Sequence, residues 1–84
     1  MIYKKIEIKK AALKYIKKLP KYLRAEIFRR INELPEGSGI SKMKGYDNRY
    51  RQRVGDLRII FEMEENGVLL IVVVKVGSRG DVYD

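Results

Sequence analysis

The sequence predicts an α+β fold, a two-helix hairpin packed on one face of a small antiparallel β-sheet in the order β-α-α-β-β-β. Three observations predict it. Residues 50–61 alternate in character about Gly55-Asp56, a dipeptide suited to a two-residue turn. Leu23, Ile27, Ile31 and Leu34 recur at helical spacings. The run from Val68 to Val76 is almost continuously apolar, as befits a strand covered on both sides or centrally placed. At 84 residues the chain has material for one modest core, so residues 1–84 read as a single domain.

Each element has its own signal. Ile2, Ile6 and Ile8 alternate with Tyr3, Lys5 and Glu7, the pattern of a half-buried first strand. From Lys9 the period changes: Ala12, Ile16 and Leu19 share one face, and Lys10, Lys14, Lys17 and Lys18 lie largely elsewhere, which predicts an amphipathic helix over Lys9–Leu19. Pro20 ends that helix and can open the next, where a missing amide proton costs nothing. The second helix has Phe28 widening its apolar stripe, and its other face, Arg24, Glu26, Arg29, Arg30 and Glu33, reads as solvated. Pro35 with Gly37 and Gly39 closes it, and residues 35–48 read as a loop in which Lys42, Lys44 and Tyr46 offer charge and an aromatic that can stack on a base.

The Gly55-Asp56 turn would set Val54 opposite Leu57, Arg53 opposite Arg58, Gln52 opposite Ile59, Arg51 opposite Ile60 and Arg49 opposite Glu62. One face then collects Arg51, Arg53 and Arg58, and the other Tyr50, Val54, Leu57, Ile59 and Phe61. Arg49 and Glu62 form an ordinary cross-strand pair. Arg53 facing Arg58 is destabilising unless something neutralises the two charges, which leaves two readings: an anion site or a solvated outer face. Asn66-Gly67 signals a second hairpin. Carried through a two-residue turn, its register sets Leu70 opposite Met63, Val72 opposite Phe61, Val74 opposite Ile59 and Lys75 opposite Arg58. Lys75 would thus join the basic face, and Ser78 and Arg79 would emerge at the same end of the sheet as Arg53 and Arg58. With strands about 5 Å apart, these groups can surround one phosphate.

Lys and Arg number 19 against 11 Asp and Glu, a net charge of +8 that points to a polyanionic partner. Nucleic acid is favoured over membrane, because no stretch has the length of a spanning helix and no amino-terminal segment has the shape of a signal peptide; a cytoplasmic location is expected. The chain has neither Cys nor His, which excludes disulfides, thiol nucleophiles, imidazole bases and the common zinc ligands. Its Asp and Glu do not cluster as a metal set, so neither metal nor cofactor is expected, and any catalysis falls to carboxylates, Lys, Tyr and the fixed charge of Arg.

Lys42-Met43-Lys44-Gly45, Tyr50 through Phe61, Lys75-Val76-Gly77-Ser78-Arg79 and Asp81-Val82-Tyr83, in that order and spacing, resemble the RelE branch of the RelE/ParE toxin superfamily over nearly the whole chain. The resemblance implies a type II toxin that acts as a ribosome-dependent mRNA endonuclease (mRNA interferase). Such enzymes cut A-site mRNA by attack of a ribose 2′-hydroxyl on the adjacent phosphate, without metal. It implies that Arg51, Arg53, Arg58 and Arg79 hold and polarise the phosphate, that Tyr83 stands near the 2′-hydroxyl, and that Lys42, Lys44 and Lys75 add RNA-binding charge. The implied partners are a cognate RelB-like antitoxin, which would also set the oligomeric state, and the ribosome with its mRNA.

The chain departs from the family pattern in carrying Arg at 51 and 53, where the best-studied pattern has Lys. Arginine does not readily give up a proton, so both are read as stabilisers of developing negative charge, about 3–4 kcal/mol for one preorganised donor. Arg79 or a water is the candidate proton donor to the leaving oxygen. Tyr83 is followed only by Asp84, whose charges oppose ionisation of the phenol unless a guanidinium offsets them; it reads either as the proton acceptor or as part of a frayed tail. Two other functions stand beside the nuclease: a ParE-like gyrase-inhibiting toxin with no nuclease activity, and an RNA-binding domain that is not a toxin.

Overall fold

The computed structural model describes residues 3–78 and Gly80; Ile2, Arg79 and Tyr83, singled out above, lie outside the described residues. In chain order the elements are β1 (Tyr3–Ile8), α1 (Lys10–Lys17), α2 (Lys21–Glu33), β2 (Ile40–Lys42), β3 (Arg49–Val54), β4 (Leu57–Glu65) and β5 (Val68–Ser78). The helices fall where the apolar periodicity places them. α1 stops short of the expected Leu19 because the last turn tightens, with the amides of Lys18 and Leu19 donating to the carbonyls of Tyr15 and Ile16 at 3.1 and 3.0 Å. Pro20 is the cap of α2, its carbonyl accepting from the Arg24 amide at 2.9 Å. The far end of α2 is closed from another element: Lys4 Nζ on β1 donates to the carbonyls of Asn32 and Leu34 at 2.6 and 2.8 Å. A cation there also complements the helix dipole.

The five described strands form one sheet in the order β1-β5-β4-β3-β2, with β1 parallel to β5 and every other pair antiparallel. The sheet is therefore mixed, where the sequence reading expected an antiparallel one. The reason is topological. β1 forms one edge, the helices carry the chain to the opposite edge, and the meander β2-β3-β4-β5 returns so that β5 runs alongside β1. Having neighbours on both sides, β5 can be continuously apolar from Val68 to Val74. The segment expected as loop contributes β2, whose Ile40, Ser41 and Lys42 pair with Gln52, Arg51 and Tyr50.

The first hairpin has the expected register from Arg49↔Glu62 to Val54↔Leu57, with Gly55 at φ +59° and Asp56 at negative φ, as a type II′ turn requires. The second hairpin differs from expectation. Glu65 pairs with Leu69, so Asn66, Gly67 and Val68 make a three-residue loop with Gly67 at φ +78°, and the register moves by one. A bulge at Val74, between the pairs Phe61↔Val73 and Ile60↔Lys75, moves it by one more. Lys75 thus lies opposite Ile60, and Gly77 takes the place opposite Arg58. Without the bulge Lys75 would pair with Ile59 and point at the helices; the extra residue returns it to the open face.

The core lies between the helices and one face of the sheet. Ile16 of α1 and Ile27 and Ile31 of α2, with Leu34 beyond it, meet Ile59, Phe61, Ile71 and Val73, all 1% exposed or less. Each side chain so buried contributes about 1.5–3 kcal/mol relative to exposure. Phe61 stacks on Tyr50 with ring centroids 5.6 Å apart. Among the described residues the opposite face of the sheet carries no helix, and it displays the candidate site.

Candidate anion-binding site

The pleat sends Arg49, Arg51 and Arg53 of β3 to the open face, together with Arg58 and Ile60 of β4 and Lys75 of β5. Two rows result, Arg51–Ile60–Lys75 and Arg53–Arg58–Gly77. Across two strand spacings, Arg51 and Lys75 stand about 10 Å apart at their Cα atoms. Ile60, 3% exposed, is the apolar floor between them. Gly77 beside Arg58 leaves the second row open on the β5 side.

The cations differ in environment. Arg53 is exposed, and Arg51 is half-buried with Nη2 donating to Ser41 Oγ on β2 at 3.2 Å. Arg58, 8% exposed, folds back on its own hairpin, Nη1 donating to the carbonyls of Gly55 and Leu57 at 2.9 Å each. Backbone oxygens thus absorb part of the Arg53–Arg58 repulsion. The buried Nε of Arg58 has no hydrogen-bond partner among the described residues. Arg49 stands apart from the cluster as expected, with Nε and Nη2 donating to Glu62 Oε2 at 3.2 and 2.7 Å; that bond raises its pKa further above the ordinary arginine value. Its guanidinium also lies over the Tyr46 ring at 4.3 Å, so one face of this ring is already stacked.

The edge beside β3 completes the site. Shallow depressions run along it, one lined by Gly39, Ile40, Ser41, Arg51 and Arg53 and the next by Lys42, Met43, Lys44 and Arg51. Arg51 is shared between them. Lys42 pairs with Tyr50, so alternation starts its side chain toward the helix-bearing face, yet as an exposed residue on the edge strand it still borders this depression with Lys44. Arg79 and Tyr83 lie outside the described residues; β5 ends at Ser78, paired with Leu57, beside the Gly55-Asp56 turn.

Sequence reasoning missed the groups that hold this edge. Gly39 accepts from the Arg53 amide at 3.0 Å, and a Cβ at Gly39 would lie 3.0 Å from the Arg53 carbonyl oxygen. Gln52, fully buried among apolar neighbours, donates from Nε2 to the Ser38 carbonyl at 3.1 Å and ties the incoming loop to β3. The pair of glycines at 37 and 39 before an Ile-Ser-Lys alternation was the available signal.

The chain is thus a small basic protein with a helix hairpin on one face of a mixed sheet and clustered arginines on the other. Over residues 6–83 the chain matches the family described as the ParE toxin of the type II toxin–antitoxin system, parDE, and it belongs to that family, within the RelE/ParE superfamily. Among solved structures, it is similar to the archaeal RelE–RelB complex from Pyrococcus horikoshii OT3, with 31% identity, 98% of this chain and 100% of that chain covered, and a TM-score of 0.68. The RelB–RelE antitoxin–toxin complex from Methanococcus jannaschii shares 28% identity over 93% of this chain and 95% of that chain, with a TM-score of 0.69. A mutant of E. coli toxin RelE in the free state shares the fold, with a TM-score of 0.74 at 22% identity over 96% of this chain and 88% of that chain. No curated protein matches the chain.

Proposed function

We propose that this toxin is a ribosome-dependent, metal-independent endoribonuclease that cleaves A-site mRNA by 2′-hydroxyl attack on the adjacent phosphate. The observation that carries the reading is the gathering of Arg51, Arg53, Arg58 and Lys75 on two adjacent rows of one open face. In this mechanism Arg51 and Arg53 hold the scissile phosphate and stabilise charge as it develops, Arg51 oriented by Ser41 and Arg53 reaching from solvent. Arg58, fixed against the turn, is a preorganised donor that needs no reordering at the moment of reaction. Arg79 and Tyr83 take the roles the family resemblance gives them, phosphate contact and proton acceptor, with Arg79 or a water protonating the leaving oxygen. Lys42 and Lys44 guide the RNA along the β2 edge. A chain this small has little surface for reading sequence, which accords with positioning by the ribosome.

The partner that restrains it is a RelB-like antitoxin, a reading supported by the RelB–RelE complexes among its solved relatives. The test is to add the protein, freed of antitoxin, to ribosomes stalled with a defined codon in the A site and to map message 5′ ends, alongside Arg53→Ala and Arg79→Ala. New ends within the codon, lost in the variants, support the nuclease. Uncut message at saturating protein sinks it. The family match favours one other reading, a gyrase-inhibiting toxin of the ParE kind; it predicts uncut message and stabilised gyrase–DNA cleavage complexes.

A further inference from the structure

The two depressions along the β2 edge continue into a third, lined by Lys42, Met43, Lys44, Gly45 and Tyr46. Lys42, Met43 and Lys44 are shared with the depression that includes Arg51, so one shallow track runs from Arg53 past Arg51 and the two lysines to Tyr46. The track changes in kind along its length. Guanidinium and ammonium groups occupy most of it, and an aromatic ring stands at its end. The phosphate chemistry proposed above uses the cations and leaves the ring without a role.

Tyr46 is pinned on one side and still 45% exposed. It lies in the loop between β2 and β3, which is closed at its base by the Met43 amide donating to the Arg49 carbonyl at 2.9 Å and tied to β4 by the Met63 amide donating to the Asn48 carbonyl at 3.0 Å. The Arg49 guanidinium covers one face of the ring, 4.3 Å from its centroid, and Glu62 holds that guanidinium in turn through Nε and Nη2. Elsewhere a cation over a phenol ring can serve simply to pin a loop. Here backbone bonds already close the loop and Glu62 already engages Arg49, so what the cation fixes is the ring. A ring fixed in advance avoids the ordering cost that a mobile aromatic meets on binding.

We propose that Tyr46, backed by Arg49, is a base-stacking site that takes the π-face of an unpaired RNA base close to the phosphate held by Arg51. Arg49 and Arg51 are two residues apart on one strand, about 7 Å at their Cα atoms, so ring and phosphate site fall within a short stretch of RNA. Every base has a π-face, so stacking here positions a strand without reading its sequence. Single-stranded RNA is the form that fits, because its unstacked bases can be splayed onto an aromatic side chain. This role rests on the reading of the open face as an RNA site, but it is a binding role and is measured apart from cleavage.

The chain has no tryptophan, so Tyr46→Trp sets a single indole at the site. The probes are a single-stranded oligoadenylate of about eight nucleotides and an abasic strand with the same number of phosphates. Oligoadenylate is expected to quench the indole, and the abasic strand to bind without quenching it. Affinities of the two strands, carrying a fluorescent label, are measured in parallel for the parent, Tyr46→Phe and Tyr46→Ala. Tyr46→Ala should bind oligoadenylate about tenfold more weakly than the parent, Tyr46→Phe should match the parent, and all three should bind the abasic strand alike. A residue that merely holds the loop would weaken both strands equally; that result, or an indole that oligoadenylate does not quench, would overturn the proposal. Uncut message on the ribosome with quenching intact sinks the nuclease reading and leaves the stacking site standing. Cut message with Tyr46→Ala binding oligoadenylate as tightly as the parent sinks the stacking site alone.

Discussion

Arg53 and Arg58 are direct cross-strand partners, yet their side chains part: Arg58 turns back onto the carbonyls of Gly55 and Leu57, while Arg53 projects into solvent. One arginine is anchored in the fold and the other is free to meet a ligand. Their substitutions should therefore separate. Arg58→Ala should cost about 2 kcal/mol of stability as well as activity, because two hydrogen bonds from a buried charge are lost. Arg53→Ala should stay within about 0.5 kcal/mol of the parent and lose about 100-fold in cleavage rate. Urea unfolding beside the ribosome assay decides it; an Arg58→Ala protein as stable as the parent would refute the anchoring.

Gly39 and Gly55 both have positive φ, +76° and +59°, but only Gly39 is hemmed in. Gly55→Ala meets open space and should cost about 1–2 kcal/mol from backbone strain alone. Gly39→Ala adds a 3.0 Å approach to the Arg53 carbonyl, so it should cost more and lower activity by displacing the β2 edge. Equal melting temperatures for the two variants would contradict this.

Lys4 links β1 to the end of α2 through two carbonyls. Lys4→Met should lower stability by about 1–2 kcal/mol. Its neighbour Lys5 pairs with Glu7 only at 3.6 Å on the exposed surface, and Lys5→Met should change stability by less than about 0.5 kcal/mol. Chemical denaturation of the two variants separates capping from simple charge removal.

Glu26 is held below the ordinary carboxylate range, first by its hydrogen bond with Arg30 and then by that with Arg29. A carboxylate whose folded pKa is depressed contributes stability that is present above its unfolded pKa, about 4.3, and is lost as pH falls through the folded value. The stability difference between the parent and Glu26→Gln should therefore be full at neutral pH and shrink below about pH 4. Thermal melts across that range test it, and a difference that grows in acid would reverse the assignment.

The candidate site was legible in the sequence wherever a local turn fixed it. Gly55-Asp56 joins its strands directly, so the pairs from Arg49↔Glu62 to Val54↔Leu57, and with them the shared face of Arg51, Arg53 and Arg58, follow from a few residues of chain. Lys75 reached the same face by a different route. The apolar run Val68–Val74 of β5 has no alternation to declare a register, so the extra loop residue and the Val74 bulge left no mark on the pattern.

By itself the sequence determined the α+β class, the two helices with their buried stripes, the first hairpin and the arginine cluster, because each depends on periodicity or on a turn that acts over neighbouring residues. Only the tertiary structure decided the parallel pairing of β1 with β5, the formation of β2 at the edge, the position of Lys75 opposite Ile60 and the burial of Arg58. The strand pairings join segments far apart in the chain and are selected by packing on a common core. Register and burial are set by the neighbours that packing supplies, which no local pattern encodes.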